Sequence, residues 1–286
     1  MKYFVRCLWG CLGLILCSQA FTAQLVIIID DIGNNYAQGN AMVELKGPLT
    51  LAFLPHTPHV KKLAKKAYLH QKEIILHAPM ENLTAAPLGP GALTRKLSKT
   101  DFQQTLSHAI DSIPHIQGIN NHMGSSLTQD PQAMQWVMET LQKKQLYFID
   151  SLTSPNSVAY QQAINHQLPA LKRHIFLDND KSPAALFRQW KKALRIAKKS
   201  GRAILIGHPY DESHAFLAEQ LPKLAAQNIE LIPASALFLQ QAWQGFEQSV
   251  PPAYNSPNRY LLNNKNRTST NDKANPLSPN VPSQDH

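Results

Sequence analysis

The most informative absence in this 286-residue chain is that of cysteine beyond its first 17 residues. The three cysteines are Cys7, Cys11 and Cys17. If the N-terminal segment is removed, the remaining chain has no cysteine. That excludes a disulfide framework, a zinc–thiolate site and a cysteine nucleophile. A chain without cysteine also suits an oxidising compartment, where stray thiols mispair.

Residues 1–23 predict a secretory signal peptide. The start is positively charged, residues 7–17 carry no charge, and residues 18–20 offer the small side chains that signal peptidase needs. An uncut membrane anchor or a lipoprotein modified at Cys17 are the alternatives. The apolar run is short for a membrane span, which needs about 20 residues. We therefore expect an exported protein of the periplasm or cell envelope, with no stable membrane span.

Acidic residues are also scarce, with 19 Asp and Glu against 28 Lys and Arg. The lysines cluster in patterns typical of helices, as at residues 61–66 and 191–199. This favours solvated helix faces over a surface that binds an anionic partner. No aromatic residues are interleaved with the basic ones, so we predict no nucleic-acid partner.

Short apolar runs alternate with amphipathic patterns over residues 24–246. The run at 25–29 is continuous and β-branched, which is typical of a strand buried on both faces. Asp130-Pro131 and Ser182-Pro183 each place a capping residue before a proline, as helices often begin. The strand candidates are residues 25–29, 49–53, 73–76, 117–120, 146–149, 174–177, 202–206 and 229–232, and the helix candidates are 58–71, 99–112, 131–144, 182–199 and 212–227.

This alternation predicts an α/β fold with parallel strands and right-handed crossovers. Seven or eight such units fit a distorted (β/α) barrel, and a doubly wound open sheet is the alternative. Residues 247–286 are rich in Pro, Asn and Ser and poor in apolar residues. That composition predicts a disordered tail after the folded domain at 24–246.

Side chains able to bind a metal or transfer a proton follow five of the predicted strands. The carboxyl ends of parallel strands share one face, where active sites form. Each residue taken singly also fits a turn, a cap or a buried hydrogen bond, but their joint placement favours a functional cluster. The residues are Asp30, Asp31, His77, His122, Asp150 and His208.

One carboxylate and two imidazoles make a three-ligand set for a divalent metal, with one position left for water. A bound ion lowers the pKa of that water to about 7. A second carboxylate can then take the proton, and a separate histidine can protonate the leaving group. Because Asp30 and Asp31 are neighbours in the chain, we expect their side chains to diverge, one towards the metal and one towards the water.

Four motifs stand at these strand ends: Ile29-Asp30-Asp31-Ile32-Gly33, Leu76-His77-Ala78-Pro79-Met80-Glu81, Asn121-His122-Met123-Gly124-Ser125 and Ile206-Gly207-His208-Pro209. Their order closely resembles that of the divergent polysaccharide deacetylase family, a branch of the carbohydrate esterase superfamily. The resemblance covers about residues 24–240. It implies a distorted (β/α) barrel that hydrolyses N-acetyl groups on a cell-wall glycan or another sugar polymer. It also implies a divalent metal, for which we expect zinc.

The resemblance implies a role for each strand-end residue. Asp31 would bind the metal, Asp30 would be the general base, and His208 would be the general acid. Asp150 resembles the carboxylate that orients or tunes this histidine.

One position departs from the superfamily pattern, which places two histidines one helical turn apart in a single motif. Here Glu81 stands where the partner of His77 is expected, so we predict that His122 supplies the second imidazole. We then predict that Glu81 is either a fourth metal ligand or a residue that contacts the substrate. Asn121 and Ser125 are predicted to contact sugar hydroxyl groups.

Three functions stay open at this point. The first is a metal-dependent deacetylase, and the second is a module that binds cell-wall glycan or an envelope partner without turnover. The third is another metal-dependent hydrolase, such as a phosphoesterase. The lack of an arginine or lysine at any predicted strand end disfavours an anionic phosphate substrate.

Overall fold

The computed structural model describes residues 22–238. Almost all of the predicted signal peptide and the whole of the predicted tail lie outside them. No helix among the described residues combines the length and apolarity needed to cross a bilayer. The strands are β1 Ala23–Ile32, β2 Thr50–Phe53, β3 Glu73–Met80, β4 Gly118–Met123, β5 Tyr147–Asp150, β6 Ala170–Lys172, β7 Ile175–Phe176, β8 Arg202–Gly207 and β9 Ile229–Leu231.

Helices connect most of these strands. Asp130 caps α4 by accepting from the backbone N–H groups of Gln132 and Ala133, with Pro131 in the first turn, as the sequence predicted. The α-helices are α1 Tyr36–Glu44, α2 Val60–Leu69, α3 Lys99–Asp111, α4 Pro131–Lys144, α5 Ala159–Asn165, α6 Pro183–Ser200 and α7 Asp211–Gln220.

The sheet follows the chain and curls on itself. Its order is β6-β5-β4-β3-β2-β1-β8-β7, with β9 paired to β1, and every pairing is parallel. The edge strands β6 and β7 are consecutive in the chain, with only Arg173 and His174 between them. The curled sheet therefore forms a barrel with an open seam, and the predicted distorted (β/α) barrel is confirmed. A doubly wound sheet would instead reverse its strand order.

The pleat of each strand turns alternate side chains to opposite faces. On the inward face, apolar residues fill the barrel and polar ones follow at the carboxyl end. In β1, Val26 and Ile28 lie in the interior cluster and are followed by Asp30; in β3, Ile75 is followed by His77. The same alternation leads to Asn120, Ser151 and His208. The odd or even position of a residue thus decides whether it enters the mouth of the barrel.

Glu73 lies at the opposite end of the barrel, where it caps the helical residues 234–238. Its buried carboxylate accepts a hydrogen bond from Thr50 Oγ1 at 2.6 Å. It also accepts from the backbone N–H groups of Ala234 at 2.7 Å and Ser235 at 3.0 Å. These bonds satisfy N–H groups that a helix cannot pair internally. One side chain therefore joins the bottom of the barrel to the last described helix.

We expect Glu73→Gln to lower the free energy of unfolding by about 2–3 kcal/mol. Hydrogen bonds to a charged group contribute about 1.5–3 kcal/mol each, and the NH₂ of an amide cannot accept one. Urea unfolding followed by circular dichroism measures the change. The matched control is Glu219→Gln, which removes an exposed pair with Lys223 at 2.6 Å and should leave the midpoint almost unchanged. Equal effects of the two substitutions would contradict the assigned role of Glu73.

Candidate active site

Side chains from β1, β3 and β4 converge at the mouth of the barrel. Asp31 Oδ1 lies 3.0 Å from His122 Nδ1 and 3.3 Å from His77 Nε2. Among the described residues, these three form the one group of potential metal ligands whose donor atoms all lie within 4.8 Å of one another. The three are those that the sequence analysis predicted as ligands, and we call them the triad.

The unpaired oxygen of Asp31 fits a cation. Asp31 Oδ1 is buried and has no hydrogen-bond partner among residues 22–238. The nitrogens of His77 and His122 lie within 3.3 Å of it, but neither contact has the geometry of a hydrogen bond. A buried acceptor without a donor costs about 1–3 kcal/mol. One carboxylate with two imidazoles is a donor set that suits a divalent ion.

Asp31 reaches the triad through an irregular backbone. Its φ is 59°, in the left-handed region that aspartate tolerates better than most residues. The pairing register between β1 and β2 shifts between Ile29 and Ile32, which indicates a β-bulge. The bulge turns Asp31 inward beside Asp30, whose Oδ2 lies 3.5 Å from His77 Nε2. The expectation that the two side chains diverge is therefore wrong, because it assumed a regular strand.

The two adjacent carboxyl groups differ in their proton affinity. Burial raises the pKa of Asp30, and the charges of His77 and His208 offset only part of that rise. Burial also tends to raise the pKa of Asp31, but contacts with His122 and His77 outweigh it and hold the pKa well below its usual range. Asp31 thus stays ionised, as a ligand must, whereas Asp30 takes up a proton more readily. Such a separation is typical of paired carboxyl groups with different roles.

His208 lies just beyond β8 and is held by Asp178. Its Nδ1 is 2.8 Å from Asp178 Oδ1, and its backbone N–H donates to Asp178 Oδ2 at 2.6 Å. Ser213 Oγ also donates to Asp178 Oδ2, at 2.7 Å. Burial lowers the pKa of His208, but the hydrogen bond and charge of Asp178 outweigh it and raise the pKa to about 9. His208 is therefore protonated at neutral pH, as a general acid requires.

The carboxylate that orients His208 is thus Asp178, which corrects the assignment of this role to Asp150. In β5, Tyr147 and Ile149 face the interior of the barrel, so Asp150 faces outward, towards the helix layer. It accepts hydrogen bonds from Leu152 N at 2.9 Å, Ser157 Oγ at 2.8 Å and Tyr160 N at 3.4 Å. These bonds shape the loop between β5 and α5. These contacts give no support to a catalytic role for Asp150.

Arg173, in the seam between β6 and β7, was not anticipated from the sequence. Its Nε and Nη2 donate to the carbonyl groups of Ser151 at 2.6 Å and Leu152 at 2.9 Å. Its guanidinium also lies 3.7 Å from the ring centroid of Phe176. These contacts occupy the side chain with the protein itself rather than leaving it free to clamp a phosphate.

The predicted substrate contacts have partners within the protein. Glu81 pairs with Arg95, accepting from its backbone N–H at 2.8 Å and from its Nη2 at 2.9 Å. Asn121 Oδ1 accepts from Ser151 N at 2.9 Å, and Ser125 Oγ accepts from Leu83 N at 3.1 Å. These bonds stabilise the loops around the mouth. A direct role in substrate binding stays a prediction for all three.

A cavity of about 350 Å³ opens beside Asp31 and His122. Most of its wall is apolar, with contributions from Leu54, Pro79 and residues 87–90 of the loop after β3. The ring of Tyr210, 5.6 Å from that of His208 and 37% exposed, provides another apolar surface. Apolar walls with a few polar groups are typical of sites that bind small ligands.

Comparison with known proteins places this chain in a family. A sequence model described as divergent polysaccharide deacetylase matches residues 27–238. The uncharacterised protein YibQ of Escherichia coli K12 is 32% identical over 239 residues, which cover 84% of this chain and 74% of the relative. An uncharacterised protein of Haemophilus influenzae KW20 is 34% identical over 230 residues, which cover 80% of each chain.

A solved structure shares the fold. The uncharacterised protein ATU2773 from Agrobacterium tumefaciens C58 superimposes with a TM-score of 0.73 at 24% sequence identity. The match covers 77% of this chain and 91% of that one. The described barrel therefore corresponds to nearly the whole of that protein.

Proposed function

The chain belongs to the divergent polysaccharide deacetylase family, and on that premise we propose that it hydrolyses N-acetyl groups of a peptidoglycan-type glycan in the cell envelope. The observation that carries the proposal is the buried Asp31 Oδ1, which has two imidazole nitrogens within 3.3 Å and no hydrogen-bond partner in the described chain. Asp31, His77 and His122 would hold a divalent ion, expected to be zinc. When bound, that ion would act as a Lewis acid that activates water and polarises a carbonyl group.

Asp30 is the proposed general base. Its Oδ1 is fixed by the hydrogen bond from Asn120 Nδ2 at 2.8 Å, and its Oδ2 lies beside the triad, 3.5 Å from His77 Nε2. The raised pKa of Asp30, caused by burial, favours proton uptake. In the proposed reaction, Asp30 accepts the proton of the attacking water as the water oxygen bonds to the acetyl carbon.

His208 is the proposed general acid. Its pKa of about 9, raised by Asp178, keeps the imidazole protonated at neutral pH. As the carbon–nitrogen bond breaks, His208 donates a proton to the departing nitrogen. The products are acetate and a free amino group on the sugar. Asp178 acts through His208 and is a positioning residue.

A neutral glycan suits the mouth better than a phosphate ester. The cavity beside Asp31 has mainly apolar walls, and Arg173 is engaged by the carbonyl groups of Ser151 and Leu152. Residues 1–23, predicted to be a signal peptide, support delivery to the periplasm, where peptidoglycan lies. The first two observations favour a deacetylase over a phosphoesterase, and the predicted signal peptide supports a site of action in the cell envelope.

Acetate release from N-acetylated chito-oligosaccharides and from purified peptidoglycan tests the proposal. We expect zinc-loaded protein to release acetate and Asp30→Asn to be slower by about 10²- to 10⁴-fold, the usual contribution of a general base. The asparagine can still accept from Asn120, so the fold and the bound zinc should be retained. Asp111→Asn, which alters an exposed carboxylate paired with Lys144, is the matched control.

Two outcomes would count against catalysis. One is bound zinc with no acetate released from any glycan tested, and the other is equal rates for Asp30→Asn and the unaltered protein. Zinc binding and glycan binding without turnover would instead support the alternative of a non-catalytic glycan-binding module.

A further inference from the structure

Asn120, on the inward face of β4, connects two of the residues at the mouth. Its side chain is completely buried. The carbonyl oxygen Oδ1 lies 2.7 Å from His77 Nδ1, and the amide nitrogen Nδ2 donates to Asp30 Oδ1 at 2.8 Å. A single amide group therefore contacts both a triad histidine and the carboxylate beside it.

The orientation of the Asn120 amide determines whether each neighbour donates or accepts a hydrogen bond. As a general base, Asp30 is ionised before the reaction, and an ionised carboxylate can only accept hydrogen bonds, so the NH₂ end of Asn120 must face Asp30. The oxygen end then faces His77, whose Nδ1 must carry a proton to form that bond. In the neutral form that a metal ligand requires, the other ring nitrogen, Nε2, keeps its lone pair 3.3 Å from Asp31 Oδ1. A metal ligand needs its lone pair at this position.

Ser151 is the third hydrogen-bonding partner of the Asn120 amide. The second hydrogen of Asn120 Nδ2 is directed at Ser151 Oγ, 3.3 Å away. Ser151 itself is fixed because its backbone N–H donates to Asn121 Oδ1 at 2.9 Å. Reversal of the Asn120 amide would place its NH₂ against His77 and its oxygen against Asp30. That reversal would break the bonds at both ends at once.

We propose that Asn120 is a positioning residue that selects the Nδ1–H form of His77 and orients Asp30 with the same amide group. The inference rests on the proposed function for the parts played by His77 and Asp30. It goes beyond that function by making the geometry of ligand and base depend on one side chain. A change at Asn120 should therefore disturb both groups, although Asn120 is not itself one of the triad residues.

Nitrogen-15 NMR of the zinc-loaded protein tests this inference without measuring turnover. We expect His77 to coordinate through Nε2 and its Nδ1–H to give a slowly exchanging proton signal. Asn120→Leu, of similar size, should lose that signal and weaken zinc binding by about 10- to 100-fold, as loss of an outer partner of a metal ligand usually does. An unchanged signal with unchanged zinc affinity in a folded Asn120→Leu protein would overturn the inference.

Asn120→Asp provides a second test should the leucine variant fail to fold. Its carboxylate can still accept from His77 but cannot donate to Asp30, so the Nδ1–H signal should persist while acetate release falls by at least tenfold. Loss of the signal, or coordination through Nδ1, would overturn the inference. Asn165→Asp is the matched control, because Asn165 is exposed at the end of α5 and its Oδ1 accepts from Gln161 Nε2, a bond that an aspartate keeps; its zinc affinity and His77 signal should match those of the unaltered protein.

The outcomes separate the two proposals. If the unaltered protein binds zinc with the expected His77 signals but releases no acetate, the deacetylase function falls and the role of Asn120 in holding the ligand stands. If the protein binds no zinc at all, both fall.

Discussion

Replacing His77 with alanine should weaken zinc binding by more than about 100-fold and abolish acetate release. His77 is only 3% exposed, and its Nε2 belongs to the group whose donor atoms all lie within 4.8 Å of one another. Loss of an outer partner of a metal ligand costs about 10- to 100-fold in affinity, so loss of the ligand itself should cost more. Equilibrium dialysis against a competing chelator, followed by metal analysis, gives the affinity.

Two further variants make this result specific. Asp31→Asn removes the anionic oxygen of the triad without changing its size and should reproduce the loss. His70→Ala removes an exposed histidine at the end of α2 and should bind zinc like the unaltered protein. Circular dichroism confirms that each variant is folded. Tight, stoichiometric zinc in His77→Ala would exclude the triad as the binding site.

Asp178→Asn should bring the pKa of His208 from about 9 to near its ordinary value of about 6.5. The asparagine carries no charge to stabilise the imidazolium, while the burial that lowers the pKa remains. NMR titration of the His208 ring in the metal-free protein measures this directly. If His208 is the general acid, acetate release at pH 8 should fall with the protonated fraction of His208, by about 30-fold, whereas the change at pH 6 should be less than about twofold.

The same pKa makes stability depend on pH with a defined sign. Between pH 6.5 and about 9, folded His208 holds a proton that the unfolded chain has lost. The stabilisation is complete below pH 6.5 and is lost as the pH rises through 9, by up to about 3 kcal/mol in total. Asp178→Asn should flatten this decline in urea unfolding measured at pH 6, 7.5 and 9.

Asp150→Asn is the comparison that distinguishes the role of Asp150 from that of Asp178. Its partners are Leu152, Ser157 and Tyr160, so its substitution should reduce stability but leave the pKa of His208 near 9. A large fall in that pKa in Asp150→Asn, with none in Asp178→Asn, would restore the assignment that the sequence suggested.

The barrel could be predicted because its signals are local. Apolar runs with turn residues at their ends identified eight strands, and the carboxyl ends of these strands brought Asp31, His77 and His122 together. Elements without such runs were missed. β6 has three residues, and α1 contains Gly39 and only weakly periodic apolar positions. Both are stabilised mainly by the neighbours they pack against.

The partner of His208 could not be chosen from motif order alone. Asp150 and Asp178 both follow predicted strands, and a one-residue difference in alternation decides which faces the interior. Phe176, two residues before Asp178, packs against the interior cluster, whereas Phe148, two before Asp150, lies in the outer one. Both strands are continuously apolar and both place a phenylalanine two residues before the aspartate, so the sequence does not distinguish Asp150 from Asp178. The bulge at Asp31 also had no signal in the sequence.

The alternation of the barrel strands also has an evolutionary consequence. Substituting a side chain at the mouth alters one group, whereas inserting or deleting one residue within β1, β3 or β4 would move the following functional residue to the outer layer. We therefore expect natural variation in this family to tolerate exchanges within these strands but to confine changes of length to the loops. The number of residues between the start of each strand and its functional residue should be conserved more strictly than the identities of the residues between them.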